Sequence, residues 1–116
     1  MAIKYMTRVH IPEYEVVIKN NAWEYDDQLS SPGNGNTVIV PAGVTVISVT
    51  LGITTGSGKI QTTTNLLDDV ISNTGIVWQD WDDGVVTDNT QDYTSAVTAI
   101  RQVNVSGTSR MMLRGQ

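Results

Sequence analysis

The segment 44–53, VTVISVTLGI, decides the fold class. Apolar and small polar residues alternate along most of it, and residues two positions apart lie on the same face of a β-strand. Val44 and Val46 have the opposite phase, which predicts a bulge near Val46 or burial on both faces at that end. The segment therefore predicts a long strand whose buried face consists of Ile47, Val49, Leu51 and Ile53.

The composition of the whole chain favours the same class. Its 116 residues include 15 valines, 10 isoleucines and 15 threonines, with no cysteine and no phenylalanine. β-Branched side chains favour strands, and a chain of this length buries roughly 65% of its unfolded surface in one core. The sequence predicts one all-β domain without disulfides.

Turn and helix signals divide the rest of the chain. A half-buried strand is predicted over 14–19, a loop over 30–36, and hairpin connections at 54–58 and at 106–107, where glycine and serine accumulate. Leu66, Leu67, Val70 and Ile71 share one side at helical spacing, with Asn65 as the expected N-cap. We therefore expect an antiparallel β-sandwich, jelly-roll-like, with one short helix near residues 65–72.

The first twelve residues fit the strand pattern least well, and Pro12 separates them from the strand that follows. They are interpreted as a possible N-terminal arm that docks on something other than its own core. Residues 13–116 then form the single β-sandwich domain.

Charge narrows the classes of partner. The chain has 12 acidic and 7 basic residues, a net charge of −5, which opposes the long-range attraction on which non-specific nucleic-acid binding depends. Polar residues and breakers interrupt the longest apolar region, 38–53, so it does not predict a membrane span. Neither nucleic acid nor a membrane is expected as a partner.

Candidate sites for chemistry are weak. Asp80, Asp82, Asp83 and Asp88 surround Gly84 and raise a calcium hypothesis, but their order does not match an EF-hand loop, and a solvated acidic turn is the preferred interpretation. His10 has no neighbouring nucleophile or orienting acid in its sequence context. We therefore expect no catalytic residues, no metal and no cofactor.

The sequence leaves alternatives open for two tryptophans and for one arginine. Trp78 and Trp81 point to opposite faces of a strand, so an exposed Trp81 could stack on a sugar or anchor a protein interface, while burial of both rings in the core is equally compatible with the pattern. Arg101 is in phase with Val97 and Val103, which would aim its guanidinium inward. Either a bulge turns it outward, or it pairs with a carboxylate of the acidic segment.

The later part of the chain resembles a known family. The motifs are Gly58-Lys59-Ile60, the stretch WQDWDDGV at 78–85, VTAIR at 97–101 and the closing strand from Gly107. Together they resemble the small capsid decoration (cement or staple) proteins of tailed bacteriophages, over roughly two-thirds of the chain. The resemblance implies a jelly-roll sandwich, assembled as dimers or trimers, that binds the capsid from outside and clamps neighbouring major capsid proteins. It implies no catalytic residues.

These observations give two functional hypotheses. The first is a non-enzymatic virion protein, made in the host cytoplasm and located on the capsid exterior, whose partners are the major capsid protein and other copies of itself. If the termini meet in space, its partner-binding residues are Lys4, Tyr5, Arg8, Arg110, Met111 and Arg114. The alternative is a carbohydrate- or receptor-binding module of a phage fibre or tail, with Trp81 as a stacking platform.

Overall fold

The computed structural model describes residues 2–9 and 22–116. Within these two ranges the chain forms nine strands and one helix: β1 (Ile3–Tyr5), β2 (Thr7–Arg8), β3 (Trp23–Leu29), β4 (Gly33–Asn34), β5 (Thr37–Ile39), β6 (Val46–Thr63), α1 (Leu67–Ser72), β7 (Gln79–Asp80), β8 (Thr90–Ser95) and β9 (Ala99–Gly115). The strand predicted over 14–19 and His10 lie outside the described residues. The described helix is too short to cross a membrane.

Two long antiparallel strands, β6 and β9, form the ribbon on which the fold is built. They pair from Ile47 opposite Gly115 to Thr63 opposite Ala99. The register shifts twice, leaving Thr54 as an extra residue in β6 and Val105 as an extra residue in β9. Such bulges increase local twist and bend the strand that carries them.

Two facing glycines allow the ribbon to bend between these bulges. Gly56 lies directly opposite Gly107, with φ angles of 80° and 73° respectively. A Cβ atom at Gly56 would lie 2.1 Å from the carbonyl oxygen of Ser106, and one at Gly107 would lie 2.2 Å from that of Thr55. The hairpin connections predicted at 54–58 and 106–107 are therefore wrong, because these glycine-rich segments lie inside continuous strands and approach each other too closely for any side chain.

The bend folds the ribbon into two arms that share one core. The first arm contains the Val46 end of β6 and the Gly115 end of β9, extended by β8 on one side and by β3 and β2 on the other. The second contains the opposite ends of both strands, extended by β7, β4 and β5. Both arms contribute to one buried cluster: Met6, Val38, Val44, Ile47, Val49, Leu51, Ile60, Ile100, Met111 and Leu113.

This arrangement confirms the predicted all-β fold. Burial of each large aliphatic side chain contributes about 1.5–3 kcal/mol to stability relative to exposure. Burial of the shared cluster is therefore the main interaction that holds the two arms together. Every strand pair among the described residues is antiparallel except β1 with β5, which is parallel.

The outer face of the second arm is covered by the helical segment. Val70 of α1 packs with Ile39 and Ala99 in a second cluster, which Ile76 and Trp78 also join. The short helix predicted near residues 65–72 is confirmed, and its first turn carries the two aspartates that suit the helix dipole.

The expected N-cap is wrong: Leu66 occupies that position without a side-chain cap. Asn65 instead holds the loop after the helix. Its Oδ1 accepts from the backbone of Val77 at 2.9 Å, and its Nδ2 donates to the carbonyl of Gly75 at 3.1 Å.

The N-terminal residues lie against the chain's own sandwich. β1 pairs with β5 of the second arm, and β2 pairs with β3 of the first. Met6, between them, is 4% exposed and belongs to the main core. The division into an arm over 1–12 and a domain over 13–116 stays a prediction, because its boundary falls in residues outside the described ranges.

Polar residues occupy the inward positions of β9 in the second arm. Gln102 and Asn104 are buried, whereas Val103 and Val105 are not. Of the two alternatives predicted for Arg101, the structure agrees with the one in which its side chain is turned away from the main core. Its guanidinium lies 4.2 Å from the ring centroid of Trp78, on the side covered by the helical segment, and its Nε donates to Gln61 Oε1 at 2.8 Å.

Candidate binding face

The outer side of the first arm is a polar sheet surface that the described residues leave open. Because successive strand residues alternate between faces, the residues between the core positions all point outward. We call this surface the open face and define it by nine residues: Glu24, Asp26 and Gln28 on β3, Ser48, Thr50 and Gly52 on β6, and Arg110, Met112 and Arg114 on β9.

The register of β3 and β9 places acidic and basic residues side by side. Glu24 is directly opposite Arg114, and Gln28 is opposite Arg110. Arg110 Nη2 also lies 2.9 Å from Asp26 Oδ2, with both side chains about half exposed. Exposed pairs of this kind contribute little to stability, typically less than about 1 kcal/mol. Their main consequence here is the charge pattern that they present to a partner.

Two grooves cross this part of the surface. The main groove has a volume of about 600 Å³, and its walls include Tyr5, Thr7 and Met112. The second groove, of about 260 Å³, is bordered by Val46 and Tyr93. Arg114 lines both grooves.

The residues bordering the grooves are of the types that dominate protein interfaces. Tyr5 and Tyr93 are 63% and 67% exposed. Tyrosine, arginine and methionine are enriched at protein–protein interfaces and among the residues that carry binding energy. The tyrosines, arginines and methionine that border the two grooves are therefore of the types enriched at protein-binding surfaces.

A buried polar network supports the open face from below. Tyr25 Oη donates to Asp27 Oδ2 at 3.0 Å, and Asn36 donates to Tyr25 Oη at 3.2 Å. Gln102, from the second arm, donates to Asp27 Oδ1 and accepts from Ser109 at 2.8 Å. Burial raises the pKa of Tyr25 to about 12. The hydrogen bond from Asn36 opposes this shift, and the neighbouring Asp27 adds to it. The network links the two arms directly beneath β3.

Three of the predicted partner-binding residues come together in the main groove: Tyr5, Arg110 and Arg114. Lys4 and Arg8 lie on the exposed strands β1 and β2 but do not line it. The prediction places Met111 at this surface, and the structure contradicts that placement. The Met111 side chain is fully buried in the main core, and Met112, one position later, faces the groove.

The residues of this surface that sequence reasoning missed include Glu24 and Asp26 on β3, and Tyr93 at the second groove. The alternation of buried and exposed residues along β3 carried a signal for the first two. The pairing of β3 with β9, which brings the acidic residues beside the arginines, joins segments 75 or more positions apart and has no local signature in the sequence.

Trp81 lies in a smaller pocket between β7 and β8, which shares Tyr93 with the second groove. It is partly buried against the main core, and its Nε1 donates to the carbonyl oxygen of Gly84 at 2.6 Å. The pocket has a volume of about 180 Å³ and also contains Asp82, Asp92 and Tyr93. A ligand that stacks on Trp81 stays a prediction.

The acidic segment is held by local contacts. Asp80 accepts from Gln61 at 2.9 Å and from Lys59 at 3.1 Å, and these bonds lower the pKa of its carboxyl group. A hydrogen bond to Asp92 raises the pKa of Asp83. Among residues 2–9 and 22–116, no group of three or more histidine, aspartate or glutamate side chains is arranged to hold a metal ion.

Comparison with solved structures adds a distant likeness. No protein-family model matches the chain, and no curated protein matches it. A solved structure described as "Bacillus endospore appendages form a novel family of disulfide-linked pili" aligns with a TM-score of 0.39 and 10% identity, over 82% of this chain and 88% of that chain. At this distance the likeness carries no argument about function. The resemblance to capsid decoration proteins stays a prediction.

Proposed function

We propose that the chain is a non-enzymatic structural protein that takes its place in an ordered protein assembly through its open face. The observation that carries the proposal is the meeting of Tyr5, Arg110, Met112 and Arg114 around one groove. These residue types supply most of the binding energy in known interfaces. The sandwich beneath them, with its linked arms, presents them on a rigid support.

The more specific form of the proposal is decoration of a tailed-phage capsid. Its support is the sequence resemblance described above. In this form many copies bind the repeating outer surface of the shell, and multivalent attachment converts modest single contacts into high occupancy. The termini supply further cationic residues, Lys4 and Arg8, on exposed strands beside the open face.

Co-sedimentation with purified mature capsids of a tailed phage tests this form. The expected result is saturable retention at a fixed ratio to the major capsid protein. The Arg114→Glu variant is expected to lower occupancy at a given concentration, whereas Asp88→Lys, on an exposed loop outside the open face, leaves it unchanged. Absence of saturable retention on mature shells would contradict capsid decoration. Equal occupancy of both variants would contradict a role for the open face.

A further inference from the structure

The open face carries an acidic row beside a basic row. The acidic row, on β3, contains Glu24 and Asp26. The basic row, on β9, contains Arg110 and Arg114. Neighbouring strands lie about 4.8 Å apart, and outward side chains repeat about every 6.8 Å along each strand. The two rows are therefore parallel lines of opposite charge on one surface.

We propose that the open face binds the same face of a second copy of this chain about a two-fold axis. The axis runs parallel to the strands, midway between β3 and β9. Rotation about it places each β3 row over the β9 row of the other copy. Glu24 then faces Arg114 of the second copy, and Arg114 faces its Glu24, because both residues occupy the same level of the ladder. The contact is isologous, as in most homodimers.

The charge pattern favours this axis over the other two-fold axis that brings the same faces together. An axis in the contact plane but perpendicular to the strands would place β3 over β3 and β9 over β9. Carboxylates would then face carboxylates and guanidinium groups would face guanidinium groups, and such like-charge contacts suppress an association. With the axis parallel to the strands, Glu24 and Arg114 make two opposite-charge contacts, while Arg110 faces the neutral Gln28 and Asp26 faces Met112 of the second copy.

The shape of the open face is also complementary to the same face of the second copy under this rotation. On β6, next to β9, the outward residues are small: Ser48, Thr50 and Gly52. On the other side of the axis, Thr7 of β2 lies directly opposite Glu24, and the exposed Tyr5 borders the main groove. The rotation places the raised edge of each copy over the low β6 row of the other. Larger side chains of one copy therefore lie over the small β6 residues of the other on both sides of the axis.

The size of the contact predicts a weak dimer. About six residues on each of β3, β6 and β9 and the two residues of β2 cover roughly 330 Å² on each copy, so the total buried area is about 700 Å², in the range of weak, transient contacts. We expect association in the micromolar range, weakened by salt because the charges lie near solvent. Because this contact covers the open face, a copy in the dimer does not bind a capsid through that face at the same time, and the two contacts compete.

This inference rests on the proposed function only in taking the open face as a protein-binding surface. A charge-swap experiment with the full chain tests it by sedimentation velocity. Each of the single variants Glu24→Arg and Arg114→Glu creates two like-charge contacts across the axis. The dimer dissociation constant is expected to rise by about 100-fold or more in each. The control Asp88→Arg makes a similar charge change on an exposed loop outside the face, and it should leave the constant unchanged.

The combinations make the prediction specific to two-fold pairing. The double variant Glu24→Arg/Arg114→Glu regains opposite charges at both contacts and should dimerise like the original chain. An equimolar mixture of the two single variants should form a heterodimer, although neither variant dimerises alone. Circular dichroism melting of each variant verifies that these exposed substitutions preserve the fold.

Three results would overturn the pairing: a chain that stays monomeric up to about 1 mM, well above the expected range, single variants that dimerise as well as the original chain, or a mixture that remains monomeric. Capsid retention by a chain that stays monomeric would overturn the pairing and leave the capsid proposal standing. Dimerisation without capsid retention would do the reverse.

Discussion

The Gly107→Ala variant is expected to lose at least about 4 kcal/mol of unfolding free energy. Gly107 has a φ of 73°, and the left-handed region costs an alanine roughly 1–2 kcal/mol. The new Cβ would also lie 2.2 Å from the carbonyl oxygen of Thr55 and 2.5 Å from its carbonyl carbon. Both contacts are with backbone, so relief requires the strands to separate at the bend, which adds about 3 kcal/mol.

Gly84→Ala is the matched control for this variant. Gly84 also has a positive φ, 64°, but a Cβ there would meet nothing within 4 Å. Gly84→Ala should lose only the part of the unfolding free energy that comes from the positive φ, about 1–2 kcal/mol. The difference between the two variants therefore measures the close approach of the strands, separately from the φ penalty.

Urea unfolding, followed by tryptophan fluorescence and circular dichroism, measures both losses. With a total stability of about 5–15 kcal/mol for a typical domain, Gly107→Ala should be marginally folded or unfolded without urea, while Gly84→Ala unfolds at a slightly lower midpoint. Equal losses in the two variants would refute the argument that the facing glycines form an obligatory bend.

Three further predictions concern single side chains. Met111→Ala should cost about 2–5 kcal/mol in urea unfolding by opening a core cavity, whereas Met112→Ala should cost less than about 1 kcal/mol because its side chain faces the groove. Tyr25 stays protonated in the folded protein up to a pKa of about 12, while the unfolded chain ionises near pH 10. Stability should therefore fall by about 1 kcal/mol between pH 10 and 12, after discounting for solvent screening, and Tyr25→Phe should remove this part of the alkaline loss. Arg101→Met should lose about 1 kcal/mol in urea unfolding and change the fluorescence of Trp78, because the guanidinium no longer covers the indole.

The central strand and the helix could be predicted from local sequence because their patterns are local. Alternation along 44–53 predicted the buried face of β6, and apolar spacing predicted α1 almost to its bounds. The glycine-rich segments were misread because Gly56 and Gly107 carry ordinary turn chemistry. The two glycines lie opposite each other although they are 51 residues apart in the sequence. Their pairing produces one bend in place of the two predicted turns.

The bulges explain the errors in side-chain direction along β9. One extra residue in a strand reverses the face of every residue beyond it. In β9 the bulge at Val105 separates a segment with Gln102 and Asn104 inward from one with Met111 and Leu113 inward. Both buried amides donate to β3, since Gln102 Nε2 bonds Asp27 and Asn104 Nδ2 bonds the carbonyl oxygen of Leu29 at 3.2 Å. These partners lie 75 residues away, so nothing near β9 in the sequence predicts them.

The central claim, that the open face is a protein-binding surface, can be tested by single-cysteine protection. The chain contains no cysteine, so Thr50→Cys places one thiol on the open face, and Thr87→Cys places one on an exposed loop away from it as a control. Maleimide labelling is timed for each variant at high dilution, at high concentration and on mature capsids. Labelling of the cysteine at position 50 is expected to slow in the associated states, while labelling at position 87 does not change. Equal labelling rates at position 50 in the free and associated states would contradict the central claim.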